Sequence, residues 1–242
     1  MATGKLSEYS AKRTFDVTPE PAPTLAEAQR GPLLFVVQQH SARRLHYDFR
    51  LECDGVLKSW AVPKGPSLDR NEKRLAVHVE DHPYDYGSFE GVIPPKQYGA
   101  GEVIVWDCGV YSPDEGGTWF RDRARAEREV REGIAKGKLS FLLRGEKLKG
   151  SFALVRTKDA KTWLLIKHKD RFVSTSDVTA QNRSVLSGAA VEDLKVVPAH
   201  RIPAAQLVPA GDVVSMPTKL APMQPKEAIK HMSKYRRLIG TS

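Results

Sequence analysis

Short apolar or alternating segments recur between Leu33 and Lys169, and turn residues such as the Asp54-Gly55 pair separate them. Segments of this length, rich in β-branched and aromatic residues, are typical of β-strands. Many short strands at this spacing favour a closed barrel, because closure removes exposed sheet edges. The sequence therefore predicts a mainly β fold, a compact barrel of about eight strands. The expected strands are 33–39, 45–52, 57–62, 74–80, 102–107, 139–144, 151–156 and 162–168.

The segments that flank the β-rich region divide the chain into three parts. Residues 1–30 contain closely spaced prolines and predict an extended N-terminal arm. Residues 31–194 form the predicted barrel domain, and 195–242 form a basic, proline-rich linker or tail. One segment inside the domain differs from the rest: 121–136 is rich in Arg, Glu and Ala and stops before Gly137. It predicts a surface helix.

The formal net charge is +9, and most of it lies at the C-terminal end. From Lys195 onward there are eight basic and two acidic residues, a surplus of +6. A basic tail suits a polyanion such as nucleic acid, because Lys and Arg displace counterions from the phosphate backbone. A solvated tail without a specific partner is the alternative. The longest apolar run, 33–37, is far shorter than the about 20 residues that a membrane helix needs. We expect no membrane partner and a cytoplasmic, nucleoid-associated protein.

Residues 45–52, Leu-His-Tyr-Asp-Phe-Arg-Leu-Glu, alternate strictly between apolar and polar side chains. On a strand this places His46, Asp48 and Arg50 on one face. An imidazole and a carboxylate at alternate positions can reach one metal ion, and His40, after the preceding predicted strand, can supply a third ligand. Such a set suits Mn²⁺, Zn²⁺ or Fe²⁺. The alternative is that His40 is a loop histidine and His46 a buried histidine with satisfied hydrogen bonds.

A second group of polar residues surrounds His82, which follows a predicted strand and precedes Pro83. A histidine at a strand end is placed as an active-site histidine would be, although loop histidines are common. Arg74 and Lys64 can supply positive charge for a phosphate, and an arginine can grip two oxygens at once. For any single Lys or Arg among the 38 in this chain, exposure to solvent is the simpler interpretation.

Most of these residues lie within motifs that together resemble the 3′-phosphoesterase family of bacterial DNA ligase D. The resemblance extends from about residue 9 to residue 190. Its densest part is Gln-Gln-His-Ser-Ala-Arg-Arg-Leu-His-Tyr-Asp-Phe-Arg-Leu-Glu, residues 38–52. The other matching motifs are 54–66, 80–83, 89–91 with 93–94, 98–101 and 105–107.

The resemblance implies a fold, a cofactor and an activity. It implies a compact β-barrel that binds Mn²⁺ through His40, His46 and Asp48. Members of the family remove a terminal ribonucleoside from a 3′ end and then the remaining 3′ phosphate, which leaves a hydroxyl for ligation. The implied substrates are DNA and RNA 3′ ends at primer–templates or breaks. The implied setting is double-strand break repair by non-homologous end joining, with Ku and a DNA ligase as partners.

The resemblance also assigns residues to the two reactions. The side chains implied to bind the phosphate are Arg50, Arg74, His82, Tyr86 and Lys64. In the arm, Arg13 and Glu20 match positions that act on the substrate in the first, phosphodiesterase step. Thr14 stands where the family usually has an acidic residue, which weakens the implication for that step. In the tail, residues 216–223 resemble the start of a ligase catalytic domain.

Two other functions are compatible with parts of the pattern. His46, Asp48 and His82 form a two-histidine, one-carboxylate set, which is typical of non-haem iron(II) oxygenases. Arg50 on the same face argues against an oxygen site, because a phosphate anchor explains its position better. A non-catalytic nucleic-acid adaptor is the other alternative, for which the basic tail alone suffices.

Overall fold

Nine antiparallel strands and one long helix make up most of the part of the chain that the computed structural model describes, residues 4–26, 31–196 and 200–201. The predicted tail, 195–242, lies almost wholly outside the described residues. The strands are β1 (Leu33–Ser41), β2 (Leu45–Cys53), β3 (Val56–Val62), β4 (Lys73–Pro83), β5 (Phe89–Ile93), β6 (Gly101–Pro113), β7 (Lys138–Gly145), β8 (Lys149–Arg156) and β9 (Thr162–Lys167), and a two-residue β10 (His200–Arg201) pairs with β5.

Eight of these strands form the closed barrel that the sequence predicts. Their order is β1-β2-β3-β4-β9-β8-β7-β6, and β6 closes the ring by pairing with β1. Strand β5 lies outside the ring and pairs with the first residues of β6, from Gly101 to Val103. The sequence analysis did not predict β5. It is short, contains Gly91 and is followed by Pro94, so its local signal is that of a turn.

The main apolar core fills the inside of the barrel. Alternation along β2 directs Tyr47, Phe49 and Leu51 inward, where they pack with Trp60 and Trp163. Each of these side chains is buried. The polar residues between them on β2 therefore lie on the outer face of the barrel.

The N-terminal arm covers part of this outer face, and it is not extended throughout as predicted. Residues Gly4–Leu6 form a 3-10 turn and Ser7–Ala11 form a short helix, α1. Leu6 and Tyr9 are fully buried in a second apolar cluster that includes Val56 and Phe89. Burial of these two side chains explains why the arm folds onto the barrel, since apolar surface removed from water stabilises the contact.

The predicted surface helix is present as α2, Arg123–Lys136. The side chain of Asp122 caps its first turn by accepting a hydrogen bond from the Arg125 amide, at 3.2 Å. Gly137 ends it with a φ of 79°, a left-handed conformation that glycine adopts without strain. Ala126 and Val130 face the barrel core. Among the described residues, no helix has the length and apolar character that crossing a membrane would require.

Candidate metal and phosphate site

A pocket of about 200 Å³ opens on the outer face of β1–β4, between the barrel and the N-terminal arm. We call it the site pocket. Its wall is formed mainly by polar side chains: Arg13, His40, His46, Asp48, Arg50, Glu80, His82, Tyr86 and Tyr98. Strand register leaves room for it, because the small residues Ala61 and Ser59 of β3 lie opposite Asp48 and Arg50.

Three side chains from β1 and β2 meet at one end of the site pocket. His40 and His46 face each other across the strand pair. The Nδ1 atom of His40 lies 3.6 Å from Oδ2 of Asp48, and Nε2 of His46 lies 3.6 Å from Oδ1. The ligand atoms that the three residues offer all lie within 4.8 Å of one another. This is the set that the alternating motif and the preceding histidine predict.

The second nitrogen of each imidazole is bound to a backbone carbonyl. His40 Nε2 donates to the Gly99 carbonyl at 2.7 Å, and His46 Nδ1 donates to the Arg44 carbonyl at 3.1 Å. In the neutral rings the nitrogens that face Asp48 are therefore unprotonated, as metal coordination requires. Two neutral imidazoles and one carboxylate fit a divalent transition metal such as Mn²⁺.

The charges around Asp48 keep it ionised. Burial would raise its pKa, but Arg50 and the two histidines hold the pKa of Asp48 well below its usual range. For His46, burial acts to lower the pKa, and the hydrogen bond and charge of Asp48 outweigh it and raise the pKa above the ordinary value. The metal-free site therefore holds a proton on His46 at mildly acidic pH.

The proton on His46 makes the affinity of the site for a metal depend on pH. A metal must displace it, so the affinity for Mn²⁺ should weaken by about tenfold for each pH unit below the His46 pKa. Calorimetric titration with Mn²⁺ between about pH 8 and about pH 5 measures the slope. Circular dichroism over the same range controls for unfolding. An affinity that stays constant down to about pH 5 would contradict the ligand assignment.

Arg50 lies beside the candidate metal ligand Asp48, and three hydrogen bonds fix its side chain. Its Nε donates to Gln38 Oε1 at 2.8 Å, Nη1 to Ser59 Oγ at 2.8 Å, and Nη2 to Asp48 Oδ2 at 3.1 Å. The guanidinium also lies 4.9 Å from the centre of the Tyr86 ring. The sequence analysis did not give Gln38 or Ser59 a role, although Gln38 shares the outward face of β1 with His40.

His82 is held as a neutral imidazole on the other side of Arg50. Its Nδ1 donates to the Glu80 carbonyl at 2.9 Å, which leaves Nε2 as the acceptor facing Arg13 Nη2 at 3.3 Å. Burial and the positive charges of Arg50 and Arg13 keep the pKa of His82 well below its ordinary value. In the free protein Nε2 of His82 is thus suited to accept a proton, and it can donate a hydrogen bond to a phosphate oxygen only after the ring has taken up that proton.

An irregularity in β4 brings another residue into the pocket. Leu57 of β3 pairs with His82, but Ser59 pairs with Val79, so β4 carries one extra residue. Such a bulge re-aims side chains, and Val79, Glu80 and His82 all line the site pocket. The carboxylate of Glu80 accepts hydrogen bonds from Lys12 Nζ at 2.9 Å and Arg13 Nη1 at 3.4 Å. The sequence analysis gave Glu80 no role. Strict alternation along β4 would place its side chain on the same side as Ala76, which packs in the core.

The arm residues Arg13 and Glu20 lie at different depths. The Arg13 side chain lines the site pocket, packs 3.8 Å from the Tyr9 ring centre and is 4% exposed. Oε1 of Glu20 accepts hydrogen bonds from Arg13 Nε and from the Tyr86 hydroxyl, both at 2.9 Å. Glu20 is therefore buried behind the pocket, where it positions Arg13 and Tyr86 and does not reach the cavity.

The structure does not bring Arg74 or Lys64 to this cluster. Of the side chains that the structure describes, neither Arg74 nor Lys64 is among those that line the site pocket. Arg74 and His82 lie near opposite ends of β4. Arg74 forms an ion pair with Glu72 at 2.5 Å, and together with Lys64 it lines a separate surface pocket. The expectation that both contact the same phosphate as Arg50 is thus corrected: the length of β4 separates Arg74 from His82, and Lys64, in the turn after β3, lines that other pocket.

Comparison with known proteins supports one family. Residues 38–156 match the family model for the DNA Ligase D 3′-phosphoesterase domain. The chain is 53% identical over 169 residues to the multifunctional non-homologous end joining protein LigD of Pseudomonas aeruginosa, which is 68% of this chain and 19% of that protein. It is 42% identical over 167 residues to the LigD DNA repair protein of Mycobacterium tuberculosis, 69% of this chain and 20% of that protein. The chain thus spans about one fifth of the length of the curated relatives it matches.

Proposed function

We propose, from the premise that residues 38–156 belong to the DNA ligase D 3′-phosphoesterase domain family, that this protein is a metal-dependent hydrolase that processes 3′ ends of DNA and RNA in non-homologous end joining. It would remove a terminal ribonucleoside and then the remaining 3′ phosphate. The observation that carries the proposal is the position of the His40, His46 and Asp48 donors next to Arg50 and His82 in one pocket.

The side chains of the site pocket suit a transferred phosphoryl group. A divalent ion held by His40, His46 and Asp48, with Mn²⁺ the proposed one, would supply positive charge beside the phosphoryl oxygens. Arg50 offers a guanidinium whose position is already fixed, so little reorganisation is needed when charge develops. Nε2 of His82 and the guanidinium of Arg13 face the same cavity. Tyr86 packs against Arg50 and keeps it in place.

The wider setting belongs to the same proposal. The names of the LigD relatives refer to non-homologous end joining, in which broken ends are joined. We therefore propose break termini as substrates, Ku and a DNA ligase as partners, and the cytoplasm, at the nucleoid, as the location.

The deciding experiment uses a primer–template with a labelled primer that ends in a 3′ phosphate. The purified protein should convert it to a 3′ hydroxyl with Mn²⁺ and should not do so with a chelator. Release of phosphate without added metal would overturn the metal-dependent assignment. Binding without turnover would favour the adaptor, and Fe²⁺-dependent oxygen consumption would favour the oxygenase. For the oxygenase the structure changes the expected ligand set, because His40 rather than His82 lies beside Asp48.

Arg13 provides a test of the arm. We expect Arg13→Gln to slow removal of a terminal ribonucleoside by at least about tenfold more than removal of a 3′ phosphate. The reason is that the guanidinium contacts both His82 and Glu80 at the arm side of the pocket, where a diester has an additional nucleoside. Single-turnover rates on both substrates measure the difference.

A point variant is preferable to deletion of the arm, because deletion would also expose the apolar surface that Leu6 and Tyr9 cover. Lys5→Gln is the matched control, since Lys5 is a cation of the same arm that binds the Asp54 carbonyl away from the site pocket. Equal loss of both activities in Arg13→Gln would contradict a separate role of the arm in the diester step.

A further inference from the structure

One aromatic side chain at the mouth of the site pocket has no part in the chemistry described so far. Tyr98 is 49% exposed, and it is the only aromatic residue among those described that is exposed rather than packed into the fold. It lines the site pocket at the edge formed by the loop between β5 and β6.

The loop holds Tyr98 in a defined place next to the metal ligands. The Ala100 amide donates to the Gln97 carbonyl at 3.1 Å, which closes a turn with Tyr98 and Gly99 at its centre. Gly99 has a φ of 74°, as the third position of a type II turn requires. The carbonyl of the same Gly99 accepts the hydrogen bond from His40 Nε2. One turn therefore orients a metal ligand and presents the tyrosine ring to solvent.

Two cations of the arm flank the ring. Lys12 Nζ lies 4.9 Å from the centre of the Tyr98 ring, and the Arg13 guanidinium lies 5.7 Å from it. The same Arg13 reaches to 3.3 Å from His82 Nε2. Arg13 thus spans the distance between the exposed ring and the proposed phosphate position, so the two are separated by about one amino-acid side chain.

We propose that Tyr98, with Lys12 beside it, is a stacking surface for the base of the 3′-terminal ribonucleoside, the one that leaves in the diester reaction. This rests on the proposed function. Proteins bind single-stranded ends by stacking bases on aromatic rings and neutralising phosphates with nearby cations, and both elements are present here. We favour the base of the terminal nucleoside over the base before it. Lys12 and Arg13 belong to the arm, for which we propose a role in the diester reaction, and only the diester substrate has a nucleoside beyond the reacting phosphate.

The test compares substrates with and without the terminal base. One primer–template ends in a normal ribonucleotide, a second ends in an abasic ribose, and a third has the abasic site at the penultimate position. We expect wild-type protein to prefer the first over the second by about tenfold in kcat/KM, mostly through KM. Tyr98→Leu, which keeps an apolar side chain but lacks a ring, should lose this preference. Tyr98→Trp and Tyr98→Phe should keep it.

Each outcome decides the assignment. A preference that survives in Tyr98→Leu, or an equal loss on the normal and terminally abasic substrates, would overturn it. A preference that depends on the penultimate base instead would overturn the choice of nucleoside. Val17→Ala, a change at an exposed apolar residue of the arm, is the control, and it should keep the wild-type preference. If wild-type protein cleaves the terminally abasic substrate in a metal-dependent way, the proposed function holds whatever the result for Tyr98. If wild-type protein is inactive on all three substrates, both the proposed function and the role of Tyr98 are overturned.

Discussion

Replacement of His46 by alanine is expected to abolish Mn²⁺ binding and to lower hydrolysis of a 3′ phosphate by at least about 100-fold. In the proposed metal site His46 would offer Nε2, which lies 3.6 Å from Asp48 Oδ1, and its ring is oriented by the Arg44 carbonyl. Without it, only His40 and Asp48 remain, and a three-ligand site that loses one ligand loses its geometry. We expect the same result for His40→Ala and Asp48→Ala.

Metal binding by calorimetry and turnover on a 3′-phosphorylated primer measure the effect together. The matched control is His78→Gln, because His78 is a histidine of β4 that packs 5.1 Å from the Trp60 ring, among core aromatics. Melting temperatures of all variants show whether they fold. A folded His46→Ala protein with full activity would refute the metal site, whereas loss of activity with intact metal binding would assign His46 another role.

Replacement of Arg50 by lysine is expected to reduce turnover by about 100-fold although the positive charge is kept. Arg50 uses three different nitrogens to reach Gln38, Ser59 and Asp48. The single ammonium of a lysine cannot occupy these positions together, so the fixed orientation is lost, and with it the planar contact with two phosphate oxygens that we propose for Arg50. Because the side chain is 2% exposed, solvent does not compensate for the missing partners.

Arg131→Lys is the control for this substitution. Arg131 makes two hydrogen bonds to the carboxylate of Asp54, at 3.0 and 2.9 Å, but it lies on the surface of α2 with 57% of its side chain exposed. We expect no change in turnover from it. Steady-state rates at saturating Mn²⁺ make the comparison. Turnover of Arg50→Lys within about threefold of wild type would show that charge alone is sufficient at this position.

The sequence by itself determined the eight strands of the barrel, although not β5, and the inward and outward faces of β2. Both follow from local patterns, since the length of an apolar segment limits the element and a period of two assigns each side chain to a face. For this reason the sequence also predicted that His46, Asp48 and Arg50 share one surface. His40 was expected near them because it follows the strand that the turn connects to β2. The structure confirms these placements.

Only the tertiary structure decided which distant residues join that surface. The extra residue in β4 that admits Glu80, the docking of the arm that brings Arg13 to His82, and the turn in which Gly99 binds His40 all depend on contacts between segments far apart in the chain. Arg74 illustrates the limit, because its position in the sequence suggested a phosphate contact and the length of β4 carries it away. Local periodicity fixes the direction of a side chain, but register and packing between elements fix its distance from the others.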